Sequence, residues 1–283
     1  MNENKIHIGS LTLLVLSDGT MEFDPCVFFP STTEEDWVAH KSELNHSSNV
    51  VFNLLCYLVR TETHTILIDT GMGPNSGIFD PNFPELSNQW GILDKSLFDN
   101  GVNPNDIDHV LFTHAHRDHI GWATIGSDDS ITPMFPNAQY WISKKDWDAT
   151  YDKTISNRFP NAPTKLWPLK TFGKLNFFDS DTVILPEIKA IPSPGHSPGH
   201  YCFLIESEGE GLLIPGDLLH SVAQFTHYDW IARADIDPID TINSRKAIFQ
   251  LIVEKQLLVA GSHFASGFGN LKHAEGQYFW IPV

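Results

Sequence analysis

Apolar positions in this chain fall into short runs cut by Gly, Pro and Asp. Lys5 to Ile8 and Leu11 to Leu16 flank Gly9-Ser10 and predict a β-hairpin, with Ser17-Asp18-Gly19 as the turn that follows. Phe52 to Arg60, Thr65 to Asp69 and Ile107 to Phe112 predict further strands. Gln89 to Asn100 carries helical spacing, with Ile92, Leu93, Leu97 and Phe98 on one side and Gly101 just past its end.

The second half repeats the order. Gln139 to Ile142 reads as a strand, and Ser143 caps a helix over Lys144 to Tyr151. Leu175 to Phe178, Thr182 to Leu185, Ile188 to Ile191, Tyr201 to Glu206 and Leu212 to Ile214 are short strands. Pro238 to Lys255 is the clearest helix. Asp237 caps it, Pro238 stands at its first turn, and Ile239, Ile242, Ala247, Leu251 and Ile252 form its apolar stripe. Leu257 to Ala260 and Tyr278 to Val283 finish the sheet. Strands followed by helix, twice over, predict an α/β fold of two sheets packed face to face with helices outside, in a single domain over residues 1–283. Segment 23–48 is polar and irregular, with a short helix at Glu34 to Lys41. It reads as a surface excursion, or as a lid or dimer arm.

Composition narrows the partners. The charge is −17, from 18 Lys+Arg against 35 Asp+Glu, which disfavours nucleic acid and anionic lipid. At 41% hydrophobic and 12% aromatic the chain can bury a dense core and line a pocket with rings. Cys26, Cys56 and Cys202 form neither a CxxC nor a disulfide framework, so a reduced, cytoplasmic compartment is expected. The apolar stretch Leu11 to Leu16 is too short for an export signal, and no run approaches the ~18 residues of a membrane span.

The chemistry concentrates after the run Ile107 to Phe112. Thr113-His114-Ala115-His116-Arg117-Asp118-His119-Ile120-Gly121 crowds three His and one Asp into six residues. Desolvated imidazoles this close are costly together, and a metal removes that cost by accepting their lone pairs. Nitrogen and carboxylate donors without Cys suit zinc or another divalent metal such as Co, Mn or Fe. His196, Asp217 and His263 each follow an apolar run downstream, where a rigid sheet edge would position them.

The pattern His114-x-His116-x-Asp118-His119, then His196, Asp217 and His263, resembles the full metal set of the metallo-β-lactamase superfamily. Leu67-Ile68-Asp69-Thr70-Gly71 upstream is similar too. The resemblance covers nearly the whole chain and implies an αββα sandwich of two mixed sheets with two metals at one edge. It implies His114, His116 and His196 on the first metal, Asp118, His119 and His263 on the second, and Asp217 between them. A hydroxide held by both metals would be the nucleophile, because coordination lowers the pKa of water towards ~7. Asp69 would orient the site, His200 would be a hydrogen-bonded structural residue and Arg117 a solvated charge. Trp122 replaces a common Gly, either as an aromatic wall near the site or as core.

Within the superfamily, His116 disfavours the iron oxidoreductases, which usually carry Glu there. Asp217 disfavours true β-lactamases, and the weakly basic Leu271-Lys272-His273-Ala274 disfavours glyoxalase II-like thioesterases. The group of N-acyl homoserine lactone lactonases and methyl parathion hydrolase is the better match. It rests on Gly216-Asp217-Leu218-Leu219-His220, on Asp235-Ile236-Asp237-Pro238 with Arg245, and on Gly261-Ser262-His263-Phe264-Ala265-Ser266-Gly267-Phe268-Gly269. His220 stands where many lactonases have Tyr. The expectation is a dinuclear zinc hydrolase of small uncharged esters or lactones with an apolar acyl or aryl group, with Asp118 and His220 as catalytic residues. Phosphotriester hydrolysis is the alternative, and a homodimer is compatible.

Overall fold

A computed structural model describes residues 4–74, 90–127, 130–180, 182–265 and 267–283. Gln89 and Ser266, both named above, lie outside them. The first sheet takes Lys5–Ile8 (β1), Leu11–Phe23 (β2), Val50–Arg60 (β3), Thr65–Ile68 (β4) and His109–Leu111 (β5). Past a small ribbon of Thr124–Ile125 (β6) and Thr132–Pro133 (β7), it adds Gln139–Ser143 (β8) and Leu175–Phe178 (β9). The second holds Thr182–Leu185 (β10), Ile188–Pro192 (β11), Tyr201–Ser207 (β12), Glu210–Ile214 (β13), Leu258–Ala260 (β14), Phe268–Ala274 (β15) and Gln277–Pro282 (β16). Each seven-stranded sheet is mixed: β4, β5, β8 and β9 run parallel in one, and β13 and β14 in the other.

The apolar runs lack strict alternation because both faces of each sheet are covered. Tyr57 and Val59 of β3 pack between the sheets with Phe203 and Ile205 of β12. Cys56 and Leu58, one residue out of phase, face the outer helical layer instead. On the far side, Cys202 and Leu204 pack against Ile248, Phe249 and Ile252 of Pro238–Lys255. The αββα layering is the expected one.

Three local readings change. Ser17-Asp18-Gly19 is a bulge inside β2 rather than a turn. The long helix buries Thr241, Arg245, Ile248, Phe249 and Ile252, while Ile239 is 73% exposed and Ala247 is exposed. Its inner face accepts Arg245 because main-chain carbonyls satisfy the guanidinium. In segment 23–48 a kinked 3-10 helix spans Asp36–Glu43; much of the segment is exposed, as a surface excursion would be, but Phe28, Phe29 and Trp37 are buried with Trp230 and anchor it to the core.

Candidate metal centre

Every proposed ligand leaves the end of a strand. His114 and His116 follow β5, and Asp118 and His119 open the short helix Arg117–Ile120. His196 follows β11, Asp217 sits in the turn Gly216–Leu218 after β13, and His263 follows β14. Gly216, with φ +54, is required here: a Cβ would stand 2.7 Å from His200 Nε2 and 2.9 Å from Thr113 Cβ.

Asp217 divides the cluster between its two oxygens. Oδ2 lies 3.2 Å from His196 Nε2 and 3.8 Å from His114 Nε2, and His116 Nδ1 is 2.8 Å from His196 Nε2. Oδ1 lies 2.9 Å from both His119 Nε2 and His263 Nε2, and Asp118 Oδ2 is 3.7 Å from each of those nitrogens. The donors therefore form two groups, His114, His116, His196 and Asp217, and Asp118, His119, Asp217 and His263. Asp217 belongs to both.

The surrounding shell aims the rings. His263 Nδ1 donates to the Asn53 carbonyl at 2.7 Å, His196 Nδ1 to Asp235 Oδ1 at 2.8 Å, and His119 Nδ1 to Asp69 Oδ2 at 2.8 Å. Each leaves Nε2 facing the cluster, as ligation requires. Asp69 also accepts from the Thr113 amide and hydroxyl, and it holds a positive φ of 58°, a strained conformation for a side chain. His200 Nε2 accepts the Asp217 amide at 3.0 Å and its Nδ1 meets Ser193 Oγ at 2.8 Å. Burial pushes His200 down to about 3, so it stays neutral in this hydrogen-bonding role.

The donor set fits divalent cations. His114 Nε2, His119 Nε2 and Asp217 Oδ1 are buried without a hydrogen-bond partner. Burial raises the Asp217 pKa, but the rings of His119, His263, His220 and His114 outweigh it and hold the carboxyl well below its usual range. Burial, with His119, keeps His114 well below the usual imidazole range; burial and His196 do the same for His116. An ionised carboxylate among inward-facing ring nitrogens is what a cation needs.

Residues 50–263 match the model of the Metallo-beta-lactamase superfamily. The chain belongs to the metallo-β-lactamase superfamily. Its relatives are metal-dependent hydrolases, and the expected enzyme class holds. An N-acyl homoserine lactonase of Bacillus cereus is 28% identical over 219 residues, covering 74% of this chain and 80% of that protein. The structure of AidC, a dizinc quorum-quenching lactonase in complex with a product, superposes with a TM-score of 0.81 at 28% identity. It covers 99% of this chain and 96% of AidC. The hydrolase AbOPH, at 24% identity and TM-score 0.82 with 99% and 96% coverage, shares the fold.

As in a superfamily hydrolase, the ligand cluster opens into a cavity, here of about 630 Å³. Met21, Phe23, Phe28, Phe52 and Met72 line one part of it, and His220 borders it beside Asp217. His220 Nε2 is 3.2 Å from Asp217 Oδ2. Trp122 is not among the lining residues: it is buried in the core and its indole N–H donates to Asp18 Oδ1 at 2.8 Å. Arg117 is half-buried and lines the cavity, so it is not the solvated charge expected.

Sequence reasoning missed Asp146 and gave Asp235 no role. Asp146 accepts from the Ala115 amide, the Ser197 hydroxyl and the Gly199 amide, tying the His114–His116 loop to the His196 loop. Its place in the first turn of a helix looks like ordinary N-terminal charge, so no local signal marks it. Asp235 could have been sought as a carboxylate partner for a ligating His. A third grouping of His196, His220 and Asp235 exists, but Asp235 is already engaged by His196, the Ala232 amide and Arg245.

Proposed function

We propose that this chain is a dinuclear zinc hydrolase of small esters or lactones, with N-acyl homoserine lactones and aryl esters as leading substrates. One observation carries the reading: each oxygen of Asp217 faces its own set of ligand nitrogens. His114, His116 and His196 would hold one ion, Asp118, His119 and His263 the other, with Asp217 shared. Two such ions supply a water of lowered pKa and Lewis acidity toward the scissile carbonyl.

The residues do the rest. Asp118 is the more exposed of the two carboxylates, at 16% against 4%, and lines the cavity, where it can take a proton and pass it to the leaving alkoxide. His220, on the cavity side of Asp217, can donate to the oxygen that gains negative charge. The apolar side, Met21 to Met72, suits an acyl or aryl group and keeps water from it. The lactonase names among the relatives support quorum quenching as the biological setting. Buried thiols at Cys56 and Cys202 suit a reducing, cytoplasmic one.

Proton-release assays on the zinc-loaded protein, across lactones, aryl esters, β-lactams and phosphotriesters, test this. Lactone or aryl ester turnover should exceed β-lactam turnover by orders of magnitude. Faster β-lactam turnover than that of any lactone, or phosphotriesters as the best substrates, would overturn it.

A further inference from the structure

The turn that carries His220 is held from two directions. From within, Gln224 Oε1 accepts the His220 amide at 2.7 Å and the Ser221 amide at 3.2 Å, and Gln224 Nε2 donates to the Trp230 carbonyl at 2.8 Å. Gln224 stands in the short helix Ala223–Thr226, so its bonds to His220 and Ser221 set the internal shape of the turn and move with it. Phe225 anchors the body of that helix among Phe249, Phe264 and Trp280. The start of the helix, next to His220, is held from outside.

Glu43 supplies that outer hold. It closes the 3-10 helix Asp36–Glu43, and it lies 178 positions from Ser221 in sequence. Its Oε2 accepts the Ser221 hydroxyl and, at 3.0 Å, the Val222 amide. Ser221 Oγ in turn accepts the Ala223 amide at 3.1 Å, so the carboxylate caps the first amides of the helix directly and through that hydroxyl. The Glu43 side chain is 11% exposed, with His40 Nδ1 3.6 Å from its other oxygen. Burial raises its pKa, and the donors of the His220 turn pull it back. Those donors, rather than a Lys or Arg, offset the cost of burying the carboxylate. The backbone behind Glu43 is fixed as well. Leu44 bridges to Val50, and the Trp37 ring packs on those of Phe29 and Trp230. The same segment sends the Phe28 ring to 5.1 Å from that of His220.

We infer that Glu43 is a positioning residue for His220: it ties the His220 turn to segment 23–48, and so fixes where the imidazole stands against the ligand cluster and the cavity. The inference rests on the ester or lactone hydrolase reading, in which His220 donates to the substrate oxygen. Glu43 touches neither the ligand cluster nor the lining of the cavity, so it acts only through the turn. Two contacts from one segment then hold the imidazole: Phe28 meets the ring, and Glu43 holds the main chain beside it. A donor displaced by about 1 Å loses much of its effect on the transition state, so a group that sets its place controls kcat more than substrate binding.

The test is a double-mutant cycle on the zinc-loaded protein with its best lactone or aryl ester. Glu43→Ala should lower kcat about tenfold and change KM less, with both metals retained. Glu43→Gln keeps a carbonyl acceptor for the Val222 amide and should recover most of that loss. In a His220→Ala background Glu43→Ala should cost nothing further, because the group it positions is gone. The same tenfold loss in both backgrounds, or no loss in the wild type, overturns the role. A second readout needs no turnover. In NMR spectra of histidine-labelled protein, the His220 imidazole signals, assigned by their loss in His220→Ala, should shift or broaden in Glu43→Ala while those of His114 and His119 stay. Unmoved His220 signals overturn the role. If Glu43→Ala does not fold, Ser221→Ala removes one of the same bonds and should move the same signals to a smaller extent; unmoved signals there overturn the role equally. Shifted His220 signals without hydrolysis of any ester or lactone would keep the hold of Glu43 on His220 and overturn the hydrolase reading. Hydrolysis with unmoved signals would do the reverse.

Discussion

Asp235 Oδ1 receives His196 Nδ1 at 2.8 Å, with both side chains buried. The other Asp235 oxygen takes the Ala232 amide at 2.9 Å and lies 3.4 Å from Arg245 Nη2. Arg245 is anchored in turn by the carbonyls of Leu218, Tyr228 and Trp230. The chain Arg245–Asp235–His196 therefore fixes one ligand ring through two buried charges. Removing the carboxylate frees that ring and leaves Arg245 without its counter-charge. Asp235→Asn should weaken metal binding ~10- to 100-fold at the His114, His116 and His196 group and less at the other. Zinc titration followed by calorimetry reads the two steps separately; equal weakening at both would show only a general loss of structure.

The shared oxygen pair of Asp217 predicts stoichiometry. Wild-type protein reconstituted with excess zinc should hold two ions per chain by elemental analysis. His263→Ala and Asp118→Asn should each lose the ion of their own group first, because His263 and Asp118 belong only to the Oδ1 side. A single ion in the reconstituted wild type contradicts the dinuclear arrangement.

Asp18 makes a prediction about stability and pH. Its carboxylate, buried at the β2 bulge, accepts the amides of Met72, Gly73 and Leu93 and the indole of Trp122. Burial outweighs these donors and raises its pKa from 3.8 to about 6. The folded state thus binds more protons than the unfolded state between those values. The stability Asp18 contributes is full below about pH 4 and is lost as pH rises through about 6, a difference of about 3 kcal/mol. Relative to Asp18→Asn, the wild-type melting temperature should fall across that window. A difference between the two proteins that is flat with pH rules this out.

The clustering of His and Asp side chains and the layering are legible in the sequence for the same reason: each is written in a local pattern with one dominant physical cause. Three His and an Asp in six positions leave little besides a cation, and apolar runs without alternation signal sheets covered on both faces. Asp18 and Asp146 stay hidden because their partners are remote. Ser17-Asp18-Gly19 has turn composition, yet Asp18 reaches residues 54, 75 and 104 positions away. The inner face of Pro238–Lys255 departs from its predicted stripe because Arg245 is buried there, and apolar periodicity counts a buried arginine as surface.

His220 carries the last prediction. Its main-chain amide is held by Gln224 Oε1 at 2.7 Å, and its ring lies parallel to that of His263 at 5.6 Å, with a 4° tilt. Phe28 meets its edge at 5.1 Å. These contacts fix the imidazole at the cavity beside Asp217, while Nδ1 is buried without a hydrogen-bond partner. Nε2, 3.2 Å from Asp217 Oδ2, is then the nitrogen that can donate to a substrate oxygen as charge develops on it. His220→Ala should lower kcat by ~10² with both metals retained, the loss typical of one such donor. His220→Tyr should keep more lactone turnover than His220→Ala, because a phenol can donate from a similar place. Loss of an ion in His220→Ala would instead make His220 a ligand through the His196, His220 and Asp235 grouping. Full metal together with full kcat would leave it a packing residue against Phe28 and His263.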